Sequence, residues 1–483
     1  MHTHKQILEI HKQSEAYGLA QRNQLARTAL SELASRRFDP LEVVRTACKD
    51  HVVNLIPVKF ERMSDSPFAF FRGTVEIMAA DLGASKHTSM EVQLCGDAHL
   101  KNFGFYATPG SDIVLDINDF DETTRGPWEW DVKRCATSIV LAGRVAGDSN
   151  AACKEAARIF LRDYSAWIER FADMPSLEIA RHRALRDYRD PFIRVALKQA
   201  ERSTPLSNLK KLTRRSGRDG YRFISERNLI WEVSGAERKS VLAALPSYHA
   251  TLAPDRQMIF DRYHPVDVGF KVVGTGSVGT RDYVVLLFGR DLHDPLFLQI
   301  KEEPPCAYAS YYKDRSAPRN QGQRVVQGQR AMQVFSDLLL GWCSISGRDY
   351  LVRQLSDHKS SIEPEELNGA RLAEYSRVCA ELLAKGHARS GEPVALASYL
   401  GRSGKAERAL LQFAVKYADQ TESDYEAFQK ALRRGFARKA LKSAAKKPAN
   451  TPREKRTGPQ PAGQVGPAAE SVPSSETVAE SGS

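Results

Sequence analysis

The chain has 483 residues, 42% hydrophobic and 27% charged, which suits two or three packed units and excludes a mostly disordered polymer. It contains no run of about 18 apolar residues, so no transmembrane helix is expected, and the polar start MHTHKQILEIHKQSE lacks the apolar core of a secretory signal. The formal charge of +11 is concentrated: Lys430 to Arg456 holds eleven Lys or Arg against one acid, Glu454, a stretch suited to weak polyanion contact. Seven scattered cysteines without a CxxC pair argue against a disulfide framework or zinc site and for a reducing, cytoplasmic setting.

In chain order, residues 1–60 read as N-terminal helices, NQLARTALSELASRRF having apolar residues three and four apart. Residues 61–260 read as a mainly helical lobe. Within it, Pro67 opens a helix interrupted at Arg72 and Gly73. EVQLCGDAHLKNFGFYATPGSDIVLDINDFDE follows, strand-like at both ends with a Pro-Gly-Ser turn between. Helix returns from Trp130 to about Ala172, with Asp131 as its expected N-cap. Residues 173–260 show no clear pattern. Residues 261–360 read as a β-rich lobe with one helix from about Gly322 to Leu340, and WCSISGRDYLVRQL as two strands joined at Gly347. Residues 361–441 read as closing helices, and the Pro, Ala, Ser and Lys-rich 442–483 as a disordered tail.

The densest chemistry lies between Gly96 and Asp131. Asp97 precedes Asn102 by five residues inside a loop between two strands. Kinases use this spacing: the Asp accepts the proton of the attacking hydroxyl, and the Asn ligates magnesium. Asp116, Asp119 and Asp121 follow in VLDINDFDE, hard oxygen donors of the kind magnesium takes, with Asp119 the first choice and Asp116 next. A cluster of four acids (Asp116, Asp119, Asp121 and Glu122) repels itself unless a cation or Arg sits there. His99 suits loop packing or a supporting hydrogen bond.

The second constellation is GTGSVGT, with Gly274, Gly276, Ser277 and Gly279. A strand follows it instead of a helix, so it fits the phosphate-covering turn of kinases better than a dinucleotide fingerprint. The next strand, PLFLQIK, places Lys301 as the phosphate-pairing lysine. The helix after it carries Gln323, Gln327, Gln329 and Gln333 but no Glu to pair with that lysine. Glu302, Glu303 or one of the glutamines is left for that role.

The blocks SPFAFFRG, CGDAHLKNFG, NDFDETTRGPWEWDVKR, VGTGSVGTRDYVVLL, LFLQIKE, GQRVVQGQRAMQ, GRDYLVRQL and HARSG look like a bacterial family catalogued as domain of unknown function 2252, from about Pro57 to Asp424. GDAHLKNFG, NDFDE and GPWEWD also resemble the aminoglycoside phosphotransferase and choline kinase branch of the kinase-like fold, with Cys95 where that branch has His. The second resemblance implies Asp97 as base, Asn102 and Asp119 as metal ligands and Lys301 as phosphate clamp. It also implies ATP and Mg2+ as cofactors and a hydroxyl acceptor. The glycine turn follows the catalytic loop instead of preceding it, and LLAKGHARSG stands near the C-terminus. The expected fold is therefore α+β, two-lobed, protein-kinase-like and circularly permuted. A metal-dependent hydrolase with His99 as ligand, and a nucleotide-binding pseudokinase serving as an interaction module, are the other readings.

Overall fold

The β-branched, aromatic and leucine-rich runs VDVGFK, DYVVLLF and PLFLQIK build the strands His264–Lys271, Asp282–Phe288 and Pro295–Glu302, the last two buried along their whole length. The computed structural model describes residues 4–445 except 111, 185–190, 217–219, 227–228, 273, 275, 356–358 and 364–366. The three strands are the centre of a six-stranded antiparallel sheet. Gly341–Ile345 and Arg348–Gln354 extend it beside Pro295–Glu302, and Ile230–Glu232 closes the other edge beside His264–Lys271. The last of these comes from the stretch whose sequence shows no clear pattern.

Both faces of this sheet are covered. Val268, Val285, Leu298, Ile300 and Val352 pack on one side with Tyr248 and Phe260. On the other, Val284, Leu286, Phe288 and Phe297 meet Leu209 and Leu212 of the helix Pro205–Leu212 and Phe223 of a small hairpin. Toward its far end this second face turns polar, because the same alternation brings Asp282 opposite Lys301 and Gln299 opposite Arg353.

The largest core is helical. Glu129–Val145 is buried from Glu129 through Gly143, as expected of a helix enclosed by others. Asn150–Ala172, Ala370–Ser390 and Lys405–Arg433 contribute to that core. Phe103–Ala107 and Ile113–Ile117 form the expected hairpin against it, and Ser360–Ser361 adds a third strand to the outer edge. The architecture is α+β, with many helices and several antiparallel sheets.

Several expectations are corrected. NQLARTALSELASRRF is not one helix: the first helix ends at Gln24, a short 3-10 turn spans Arg27–Ser31, and the rest is extended. Arg27 there donates to the Leu400 carbonyl, and Arg36 binds Asp81 and Asp424, so long-range contacts override local periodicity. The helix expected to Leu340 stops at Met332. Asp131 does not cap its helix, which begins at Glu129. The helix Phe436–Ala445 continues past the boundary drawn at 442. The rest of the tail, 446–483, lies outside the described residues, as does the end of the basic stretch.

Candidate active site

The loop from Cys95 to Asn102 leaves the strand Glu91–Leu94 and enters Phe103–Ala107. Gly96 turns it at φ +85, and an added Cβ there would collide with the Glu122 backbone. Beneath the turn, the Cys95 and Gly96 amides donate to the two oxygens of the fully buried Asp131, at 2.8 and 3.0 Å. The Tyr308 hydroxyl donates to the Gly96 carbonyl at 2.6 Å, and the Tyr375 hydroxyl to those of Leu100 and Phe103. One turn after Asp131, Arg134 donates through Nε to Asp97 Oδ1 at 2.5 Å and through Nη2 to the Phe71 carbonyl. Sequence reasoning missed Asp131 and Arg134 as loop supports. Their signal was a carboxylate and a guanidinium three residues apart on one face of a helix that is buried along most of its length.

Asp97 therefore has a fixed place. Burial pushes its carboxyl up to about 6; Arg134 opposes that rise and Asp119 adds to it. His99 Nε2 lies 3.4 Å from Asp97 Oδ2, and burial, with Arg72 and Arg134 nearby, holds the imidazole well below its usual range and so neutral. The Asn102 amide nitrogen donates to the Asp97 carbonyl at 2.8 Å, which leaves its carbonyl oxygen as the atom available to a ligand.

The three candidate acids part company. Asp116 pairs with Lys385 of the helix Ala370–Ser390 and does not line the cleft. Asp119 and Asp121 do. Asp121 Oδ2 forms an ion pair with Lys301 and accepts from the Ser277 hydroxyl at 2.7 Å, while its Oδ1 is buried with no hydrogen bond among the described residues. Burial would raise the Asp121 carboxyl, but Lys301, Asp119 and Ser277 hold it below the ordinary range. Burial, then Asp121, raises Asp119. No three His, Cys, Asp or Glu side chains gather into a metal-binding group among the described residues.

The glycine turn joins His264–Lys271 to Asp282–Phe288 and reaches the loop from across the cleft. It is tied to the segment 52–59: Lys59 Nζ donates to the Gly276 carbonyl at 3.3 Å and the Val52 amide to that of Gly279 at 2.7 Å. Gly279, at φ +116 over the His51 ring, is a structural corner outside the cleft lining. Asp97, Asn102, Asp119, Asp121, Gly274, Gly276, Ser277 and Lys301 all line one cavity of about 610 Å³.

The lysine's missing helix partner is resolved in part. Lys301 pairs with Asp121, whereas Glu302 turns to Arg281 and Arg348. Glu303 is buried in the cleft lining with neither carboxyl oxygen hydrogen-bonded among the described residues, and burial pushes it well above the usual range. On the helix Gln321–Met332, Arg324 donates to the Asp121 and Thr123 carbonyls, and Gln333, just past its end, donates to that of Ile117. That region holds the acidic segment in place.

A family model described as "Uncharacterized protein conserved in bacteria (DUF2252)" matches residues 51–431. The chain belongs to this family. The DUF2252 region contains the loop, the acidic segment, the glycine turn and Lys301, so the whole cleft lies inside it. No curated protein and no solved structure matches the chain. No candidate membrane-spanning helix occurs among the described residues.

Proposed function

We propose that this DUF2252 protein is an ATP- and magnesium-dependent phosphotransferase of circularly permuted, kinase-like build, acting on a hydroxyl of a small molecule or protein. One observation carries the reading: Ser277 and Lys301, 156 and 180 residues distant in sequence, converge on Asp121 beside the Asp97 loop. Kinases need a glycine-rich turn, a strand lysine, an acidic metal ligand and a catalytic Asp around one polyphosphate. The order of strand, glycine turn, strand, lysine strand and helix within residues 264–332 supports the kinase comparison. Its position after the catalytic loop supports permutation.

The donor set suits magnesium: the Asn102 carbonyl oxygen, the Asp119 carboxylate and the unpartnered Oδ1 of Asp121 are hard oxygens, and magnesium completes its shell with phosphate oxygens and water. Bound there, the ion would neutralise charge on the phosphates. In this mechanism Lys301 and the turn amides hold the polyphosphate, and Asp97 orients the acceptor hydroxyl. The acceptor oxygen bonds to the terminal phosphorus as the bond to the bridging oxygen breaks, and the hydroxyl proton passes to Asp97. The Arg134 bond fixes which Asp97 oxygen faces the acceptor.

Thermal shift and calorimetry with ATP, with and without magnesium, test the binding step. Stabilisation by ATP with magnesium and its loss in Lys301→Met are expected; no binding under either condition overturns the reading. Asp97→Asn should abolish phosphoryl turnover, read as ATP hydrolysis, while nucleotide affinity stays within a few-fold. Binding without turnover in the unaltered chain would favour the pseudokinase.

A further inference from the structure

We propose that Arg353 and Lys359 form a second phosphate-binding subsite in the cleft, separate from the Lys301 clamp. The two cations reach the cavity from different elements. Arg353 stands on the strand Arg348–Gln354, opposite Gln299 and on the polar end of the sheet face that also carries Asp282 and Lys301. Lys359 immediately precedes Ser360, which pairs with Phe105 in the hairpin sheet and donates its hydroxyl to the Ala196 carbonyl at 2.6 Å. The backbone of Lys359 is thereby tied to the hairpin rather than to the six-stranded sheet.

Among the described residues, neither cation has an acid to neutralise it at contact distance. Arg353 spends Nε on the Gln299 carbonyl oxygen at 3.0 Å, and Gln299 in turn donates to Asp282 at 2.5 Å. That chain holds the guanidinium of a side chain that lines the cavity, and its terminal nitrogens make no hydrogen bond among the described residues. Lys359 makes no hydrogen bond or ion pair with the described residues. Burial, then the Arg353 charge, pushes its ammonium down to about 7, with Asp119 opposing. Like charges held together in a half-buried cavity are costly unless an anion lies between them. A phosphate, which carries acceptor oxygens on several sides, satisfies a guanidinium and an ammonium together. The mechanism proposed above uses neither residue.

Two sources offer this chemistry: the polyphosphate tail of the nucleotide, which assumes the nucleotide reading, and a phosphate carried by the acceptor, which does not. Isothermal calorimetry of the full chain with ATP, inorganic tripolyphosphate and inorganic phosphate separates them. Lys359→Gln, Arg353→Gln and the double variant are compared with the unaltered chain, with ligand-free melting as a fold control. Lys359→Gln, which removes no hydrogen bond, keeps the test open if the Arg353 change impairs folding. Tripolyphosphate affinity should fall at least tenfold in the double variant and be restored by Lys359→Arg in the Arg353-intact chain. An equal fall for ATP assigns the subsite to the nucleotide tail; unchanged ATP affinity with lost phosphate binding assigns it to the acceptor. Less than a twofold change for every anion, with ATP still bound, overturns the subsite and leaves the nucleotide reading intact. If ATP never binds but tripolyphosphate does and is lost in the double variant, the subsite stands and the nucleotide reading falls.

Discussion

Asp131 shows how much one buried carboxylate can organise. Its oxygens receive two loop amides, and His387 Nε2 lies 3.4 Å from one of them. Asp131→Asn presents an amide NH2 where an acceptor is needed and leaves a buried N–H unpaired, a loss of about 1–3 kcal/mol. Urea unfolding should show that loss, and ATP turnover should fall with it because Asp97 sits on the loosened loop. Asp97 itself makes a prediction in pH. Its neighbours are Arg134, Arg72, the neutral His99 and Asp119, and burial dominates to place it near 6. A base works ionised, so turnover should be level above about pH 7 and fall roughly tenfold per unit below pH 6. A rate that stays level down to pH 4 would mean that Asp97 titrates normally or is not the base.

Turn and strand geometry, more than side-chain chemistry, positions the Asp97 loop and the glycine turn. Gly96→Ala would combine a left-handed backbone with a collision against the Glu122 carbonyl, so thermal unfolding should report more than about 1 kcal/mol of lost stability. Gly274→Ala meets open space and should stay within about 0.5 kcal/mol. Similar stability losses in both variants would refute the steric argument. The strands and the helix Glu129–Val145 were legible in the sequence because the length and residue types of an apolar run separate short buried strands from longer buried helices. The segment after Gln24 was misread because its arginines reach distant partners, Leu400, Asp81 and Asp424. Leu209, Leu212 and Phe223 stood in a stretch without a pattern for a related reason: they cover a sheet whose central strands begin only at His264, and short covering elements have little periodicity of their own.

Across residues 4–445, helices from both ends of the chain meet behind the glycine turn. Phe436 packs at 5.5 Å from Phe60 and 6.0 Å from Phe428, ring centre to ring centre, in a cluster that supports the helix Ile56–Met63. That helix carries Lys59, whose ammonium reaches the Gly276 carbonyl. Phe436→Ala should therefore cost about 3 kcal/mol by urea unfolding and also weaken ATP binding, through a turn that is far from residue 436 in sequence. Loss of stability with unchanged ATP affinity would show that the N-terminal helix does not hold the turn.

From the sequence alone come the α+β class, the paired strands, the loop spacing of Asp97 and Asn102, the glycine turn and the lysine strand, because each depends on neighbours within about twenty residues. Only the tertiary structure decided which carboxylate meets which cation. Asp116, Asp119 and Asp121 are chemically alike and lie within six residues of one another. Asp116 went to Lys385 and Asp121 to Lys301 because a strand and the turn after it aim successive side chains in different directions. Arg353, inside the block GRDYLVRQL, and Lys359, outside every quoted block, came to the same cavity through sheet pairing. Long-range ion pairing depends on how elements stack in space, and no local pattern of residues encodes it.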